Sequence, residues 1–173
     1  MTTFWLKVTG SDLGQGDYLT NCYIPQFNPD FGAVQSAEEE VLVTKVDLII
    51  VTQSCDLANK SIQFVALCPI HQLIYFEEVN PKFKKKGEWE QVRKGRYEGL
   101  HMLSSPIHPD NNYDARVVDF RQIHSLPYRY LVQHAEQVGP RWRLASPFLE
   151  HFSQAFARFF MRVGLPTSIP PFR

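Results

Sequence analysis

Between Lys82 and Tyr97 the chain reads Lys-Phe-Lys-Lys-Lys-Gly-Glu-Trp-Glu-Gln-Val-Arg-Lys-Gly-Arg-Tyr, with seven cations, three aromatics and two acids. Cations laid along a phosphate backbone release its condensed counterions, and aromatic rings stack on unpaired bases for about 1–3 kcal/mol each. Lys82, Lys84, Lys85, Lys86, Arg93, Lys94 and Arg96, with Trp89 and Tyr97, therefore form a candidate surface for RNA or single-stranded DNA. Gly87 and Gly95 punctuate the stretch, which predicts a projecting hairpin or loop. The same composition also suits an ordinary exposed connection kept in solution by its lysines. No RNA-recognition signature, zinc finger or helix-turn-helix accompanies it.

A second place for chemistry is Val51-Thr52-Gln53-Ser54-Cys55-Asp56-Leu57, where an aliphatic run breaks into polar residues. Cys55, with Asp56 beside it, is the candidate catalytic group, because a thiolate is a strong nucleophile once a base or cation stabilises it. His71, His101, His124 and Arg121 are the residues available for that task. The competing reading has Ser54 or Asp56 closing a turn through side-chain to backbone hydrogen bonds, with Cys55 filling space.

Cysteine also supplies the only metal pattern. Cys68-Pro69-Ile70-His71 has the two-residue gap that lets both side chains reach one ion, and Cys22 and Cys55 complete a tetrahedral set for zinc if their strands are neighbours. Against this, Cys22 and Cys55 are singletons in apolar surroundings, which suits inert buried thiols and no cofactor at all. No serine nucleophile elbow, phosphate-binding glycine loop or dinucleotide fingerprint is present.

Thr52-Gln53-Ser54-Cys55-Asp56-Leu57, together with Gly16-Asp17 and with Phe160-Met161-Arg162-Val163-Gly164-Leu165-Pro166, resembles a pattern seen in uncharacterised bacterial proteins. That resemblance spans most of the chain and implies no activity. Gly16-Asp17 opening a strand, followed by the aliphatic strand at Leu48–Val51, is similar to the start of MazF/PemK-type toxins. Those are small SH3-like barrels that bind and cut RNA, so the resemblance implies a small barrel.

These residues must be held by a scaffold that the hydrophobic pattern outlines. Strands are predicted at Gly16–Ile24, ended by Pro25, and at Val41–Val46, Leu48–Thr52 and Ile62–Cys68; the last two pair as a hairpin. Leu48-Ile49-Ile50-Val51 is apolar throughout, as a strand buried on both faces requires. Shorter strands are expected at Arg116–Phe120, Tyr128–Val132 and Trp142–Leu144, and loops at Pro25–Gly32 and Ser104–Asp114. A helix at about residues 147–163 shows apolar residues Leu149, Phe152, Phe156, Phe159, Phe160 and Val163 at three- and four-residue spacing. Ser146 can cap it, and Gly164 and Pro166 end it. The fold class is thus α+β: a β-rich, partly open small barrel or bent antiparallel sheet with a C-terminal amphipathic helix packed on it.

One domain spanning residues 1–173 accommodates this, since a chain of 173 residues buries roughly 70% of its unfolded surface and needs no disulfides. No apolar run approaches the roughly 20 residues of a membrane helix, the first residues lack a signal peptide's basic start, and three cysteines suit a reducing compartment. The expected location is the cytoplasm, with no membrane partner. Charge is neutral in total, 18 Lys+Arg against 18 Asp+Glu, but unevenly placed. Residues 1–80 carry three lysines against ten acids, a net −7, and residues 81–173 carry fifteen Lys or Arg against eight acids, a net +7. A nucleic-acid-binding or -processing accessory protein is the leading expectation. The alternatives are an interaction module, in which the acidic half of one copy meets the basic half of another copy or of a protein partner, and a cysteine-dependent or zinc enzyme.

Overall fold

The structure is a computed structural model that describes residues 3–27, 41–59, 62–108, 110–111 and 114–161. Among them the elements run β1 (Trp5–Val8), β2 (Asp17–Gln26), β3 (Leu42–Ile50), α1 (Ser54–Ala58), β4 (Phe64–Gln72), α2 (Leu73–Val79), a 3-10 turn (Pro81–Lys84) and α3 (Glu88–Arg93). They continue as β5 (Leu100–Leu103), β6 (Arg116–Asp119), β7 (His124–Pro127), α4 (Tyr128–Val138), β8 (Arg141–Leu144) and α5 (Phe148–Phe160). The strands form one antiparallel sheet in the order β1-β8-β2-β3-β4-β6-β5, with β7 also beside β4. The end strands β1 and β5 do not pair, so the α+β fold has an open sheet and not a closed barrel.

Strand β3 is its centre. Leu48 and Ile50 point into one core, where Leu131 and Ala135 of α4 cover them, while Ile49 and Val51 point into the other, covered by Phe152 of α5. Alternation along a strand with helices on both faces explains why this run carries no polar residue. β3 and β4 do pair, Leu48 opposite Pro69 and Ile50 opposite Leu67, with α1 inside the connection. β4 then changes partners: Phe64–Leu67 pair with β7 and Ile70–Gln72 with β6. A third apolar cluster forms past that change, where Leu73, Phe76, Phe83 and Val92 pack on Leu100 and Val117.

One buried charge locks the sheet's other half. Asp17 is 0% exposed and accepts hydrogen bonds from Arg141 Nε and Arg143 Nη2 on Oδ2, both at 2.9 Å, from Arg143 Nε on Oδ1, and from the Gly14 amide. Arg141 uses its remaining nitrogens on the carbonyls of Gly10 at 2.7 Å and Asp12 at 2.6 Å. One carboxylate thus ties β2 to β8 and folds residues 10–16 over them.

Four expectations are corrected. Strand β2 continues through Pro25 to Gln26, opposite Val43 and Leu42. Proline is tolerated there because β8 pairs only with Asp17 and Tyr18, leaving that edge of β2 without a ladder to donate to. Tyr128–Val132 is the start of helix α4, not a strand: Leu131, His134 and Ala135 make one buried helical stripe, and Pro127 supplies the residue before the first turn. Residues 82–97 are not one hairpin or loop: the 3-10 turn and α3 take up residues 82–84 and 88–93, where Phe83 and Val92 are buried, and turns join and follow them. Pro147, not Ser146, occupies the cap of α5, with no side-chain cap hydrogen bond. Residues 28–32 of the predicted loop and the predicted helix end beyond residue 161 lie outside the described residues.

Replacing Asp17 by Asn keeps the shape and removes the charge, leaving Arg141 buried without its counter-ion. The expected cost is about 3–5 kcal/mol, read as a lowered urea midpoint with unchanged slope. An unchanged midpoint would show that the two arginines are satisfied without it.

Candidate functional site

The cationic segment is built outward from an aromatic centre. Phe83 is buried in the 3-10 turn and stacks on Trp89 of α3 with ring centroids 4.9 Å apart. Phe76 of α2 and Tyr97 each lie 5.3 Å from Phe83. The polar ends of these rings are occupied too: Trp89 Nε1 donates to Glu77 Oε1 at 2.7 Å, and the Tyr97 hydroxyl donates to Glu88. Aromatic residues that the sequence offered as stacking platforms are therefore half-buried parts of a small core.

The cations point the other way. All seven are exposed. Arg93 and Lys94 pair with Glu90 at 2.7 and 3.2 Å, and hydrogen bonds from Arg93 hold its carboxyl down at about 2. Arg96 donates to Gln91 Oε1 at 2.7 Å, and the Lys82 ammonium sits 4.5 Å over the Tyr97 ring. Lys84, Lys85 and Lys86 have no side-chain hydrogen bond or ion pair among the described residues. Three adjacent ammonium groups are thus free for an outside anion, beside four whose charge is partly answered.

Next to this surface, a cleft of about 270 Å³ opens between β5 and α5. Tyr97, the exposed Glu98, Gly99, Leu100 and His101 line one side with Phe120, and Ala155, Arg158 and Phe159 of α5 line the other. His101 packs its ring parallel to Phe120, centroids 6.0 Å apart, and edge-on to Phe152 at 5.8 Å. Burial pushes its pKa down to about 4, and the charge of His151 works in the same direction. A second hollow, lined by Lys82 and Arg121, adjoins the first through Tyr97, Glu98 and Leu100. On the other side of the aromatic centre, Leu73, Ile74, Met102 and Ala115 line a shallow groove of about 540 Å³ against Trp89, with Glu77, Glu90 and Arg93 at its rim.

The polar run after Val51 has mostly structural partners. The Ala66 amide donates to Thr52 Oγ1 at 2.8 Å, and the Gln15 amide donates to Ser54 Oγ at 3.0 Å. Cys55 is exposed on α1, with Gln53 Oε1 at 3.7 Å and Asp56 Oδ1 at 3.8 Å from its sulfur. Both neighbours are acceptors. None of the four proposed activators makes a contact with it: His71 packs on Phe76, His101 lies in the cleft, Arg121 pairs with Asp119, and His124 stands on β7 opposite Leu67.

Nor does the fold gather Cys22, Cys55, Cys68 and His71. Cys22 belongs to the core under α4 and Cys68 to the core under α5, on opposite faces of the sheet. Burial pushes each of these thiols up to about 12, with Asp47 and Asp119 respectively adding to the effect. Among the described residues, no group of three or more His, Cys, Asp or Glu is placed to hold a metal.

Sequence reasoning named His101 only as a possible helper for Cys55, and missed Arg158 and Phe120 as its neighbours. The one local signal was Gly95 and Gly99, whose φ values of 68° and 87° turn the chain into β5 at the edge of the cleft. No protein-family model, curated protein or solved structure matches the chain, so the reading of these sites rests on their geometry.

Two outcomes are expected. Thiol labelling of the native protein modifies Cys55 quickly and leaves Cys22 and Cys68 untouched until the chain unfolds; a second fast thiol would contradict their burial. Second, unfolded histidine binds its proton near pH 6.5 but His101 in the fold only near 4, so stability is full above about 6.5 and falls as pH drops toward 4. Burial lowers His71 and His124 in the same sense. Histidine resonances followed by NMR should show His101 titrating near pH 4.

Proposed function

We propose that the protein binds RNA or DNA through the sugar-phosphate backbone, using the exposed cations of residues 82–96. The observation that carries this reading is the arrangement of Lys84, Lys85 and Lys86: adjacent, exposed and without ion-pair partners among the described residues, on a module whose rings are packed inward. Cations bring affinity through counterion release, whereas base stacking needs a free ring face. With Phe83 buried and Trp89 and Tyr97 engaged, this surface favours charge over base identity, and contacts of this kind position a nucleic acid without reading its sequence. The neutral total is compatible with such a role, because screening beyond about 8–10 Å at physiological salt makes the local cluster matter more than the sum.

The test is affinity for single-stranded RNA, single-stranded DNA and duplex DNA across a salt series. Binding should weaken steeply with salt, and changing Lys84, Lys85 and Lys86 together to Glu should weaken it at least tenfold and flatten the slope by about two to three, since each phosphate contact contributes about 0.7–0.9 to it. The variant substitutes only exposed side chains, so its thermal midpoint should stay close to that of the parent. Absence of binding at low salt, or a triple variant that binds like the parent, overturns the reading.

A further inference from the structure

We infer that the cleft beside His101 is a pocket for one nucleobase, with the attached phosphate held at its mouth by Arg158. The inference rests on the nucleic-acid reading above and names what that surface would deliver into the fold.

Size comes first. At about 270 Å³ the cleft falls near the lower end of ligand sites, roughly 300 Å³, so it admits a single ring system and not a larger ligand. Its walls suit a flat ring. Phe120, Phe159 and Leu100 are apolar, and Ala155 is the small residue of α5 that leaves the space open. On the opposite wall nothing larger than Gly99 fits: a Cβ there would come within 2.9 Å of Arg121 Cγ and 3.1 Å of Phe159 Cε2.

Hydrogen bonding gives the chemical class. A neutral imidazole offers one N–H donor and one bare nitrogen acceptor. The two rings packed on His101 fix its plane, and neither of its nitrogens has a partner among the described residues. The ring is only half-buried, so these nitrogens are reachable from the cleft, and a ligand that brings a heteroatom edge can pair with both a donor and an acceptor there. A nucleobase has such an edge and a hydrocarbon ring does not. An uncharged imidazole between phenylalanines is, in turn, a poor seat for a phosphate, which belongs in water beside a cation. Arg158 is that cation: exposed, at the cleft, and without an ion pair among the described residues. His151, Ala155 and Arg158 recur at helical spacing, so the stripe of α5 that borders the cleft carries two groups of basic type. The adjoining hollow shares Tyr97, Glu98 and Leu100 with the cleft and brings Lys82 beside it, next to Arg121, whose guanidinium pairs with Asp119.

The experiment titrates the full chain with the four ribonucleoside 5′-monophosphates, the corresponding nucleosides and ribose 5-phosphate at low salt, following the His101 ring signals of the parent by NMR and the affinity of every variant by isothermal titration calorimetry. At least one nucleotide should shift them. H101F, which keeps the ring and removes the edge, should weaken that nucleotide at least tenfold, and A155L, which fills the cleft from α5 without touching His101, should do the same. R158Q should weaken the nucleotide and leave its nucleoside within twofold. The triple Lys84, Lys85, Lys86 to Glu variant should bind mononucleotides like the parent while losing oligonucleotides, which separates the two sites: mononucleotide binding without oligonucleotide binding removes the lysine surface and keeps the pocket. The pocket is overturned if no nucleotide at millimolar concentration shifts His101, if ribose 5-phosphate binds as well as the nucleotides, or if both H101F and A155L bind like the parent.

Discussion

A single carboxylate with no exposure, Asp17, sets the geometry on which the remaining elements are assembled. A buried charge is costly unless its partners are complete, and here two guanidinium groups and one amide complete it. Both arginines stand on β8, so the interaction fixes the register of β2 against β8 and pulls the Gly10–Gly16 segment down over the pair. Gln15 in that segment passes the constraint on. Its side-chain amide donates to the Val51 carbonyl at 2.9 Å, its backbone amide to Ser54, and its oxygen meets the Ser153 hydroxyl of α5 at 3.1 Å. Through that chain the end of β3, α1 and α5 are placed relative to one another. Since α5 forms one wall of the His101 cleft, the cleft's width depends on contacts that begin at Asp17.

The basic module follows a different logic. Its stability comes from rings packed on rings over Phe76, and its charge is what remains outside once the rings are inside. Alternating Lys and aromatic residues in sequence can serve stacking or packing, and the distinction lies in which neighbours are close. Phe76 on α2 and Val117 on β6 are those neighbours, brought there because β4 hands its edge from β7 to β6 and the chain then turns into α2. The surface left to solvent is cationic, adjoining a cleft walled by Leu100, Phe120 and Phe159 with Glu98 and Arg158 also in its lining. Such a pairing suits a ligand that is itself divided into a charged chain and a flat neutral ring.

The chain's polar punctuation has a similar division of labour. Thr52, Ser54 and Gln15 close the end of the central strand with hydrogen bonds, while Cys55, the next residue after Ser54, is exposed with the acceptors of Gln53 and Asp56 beside it. Cys22 and Cys68 behave as small apolar residues on opposite faces of one sheet. The bend of β2 is made locally: Asn21 takes a φ of 56° at a bulge, held by Asp47, which accepts from the Asn21 amide at 2.8 Å and from the Tyr18 hydroxyl at 2.7 Å.

What the sequence by itself determined is what depends on local periodicity and composition. The apolar run Leu48–Val51 pointed to a strand covered on both sides, the spacing of Leu149, Phe152, Phe156 and Phe159 to a helix with one buried face, and the seven cations within residues 82–96 to a solvent-facing segment. Tertiary structure alone decided the rest. Tyr128–Val132 has strand-like composition but becomes helix because Leu131 and Ala135 find the core under Leu48 and Ile50. His101, Phe120 and Arg158 come from two strands' ends and a helix widely separated in sequence, and no local pattern connects them. Asp17 likewise meets Arg141 and Arg143 across more than a hundred residues. The physical reason is the same each time: periodicity reports which face of an element is buried, but pairing order and the path of the chain choose what that face meets.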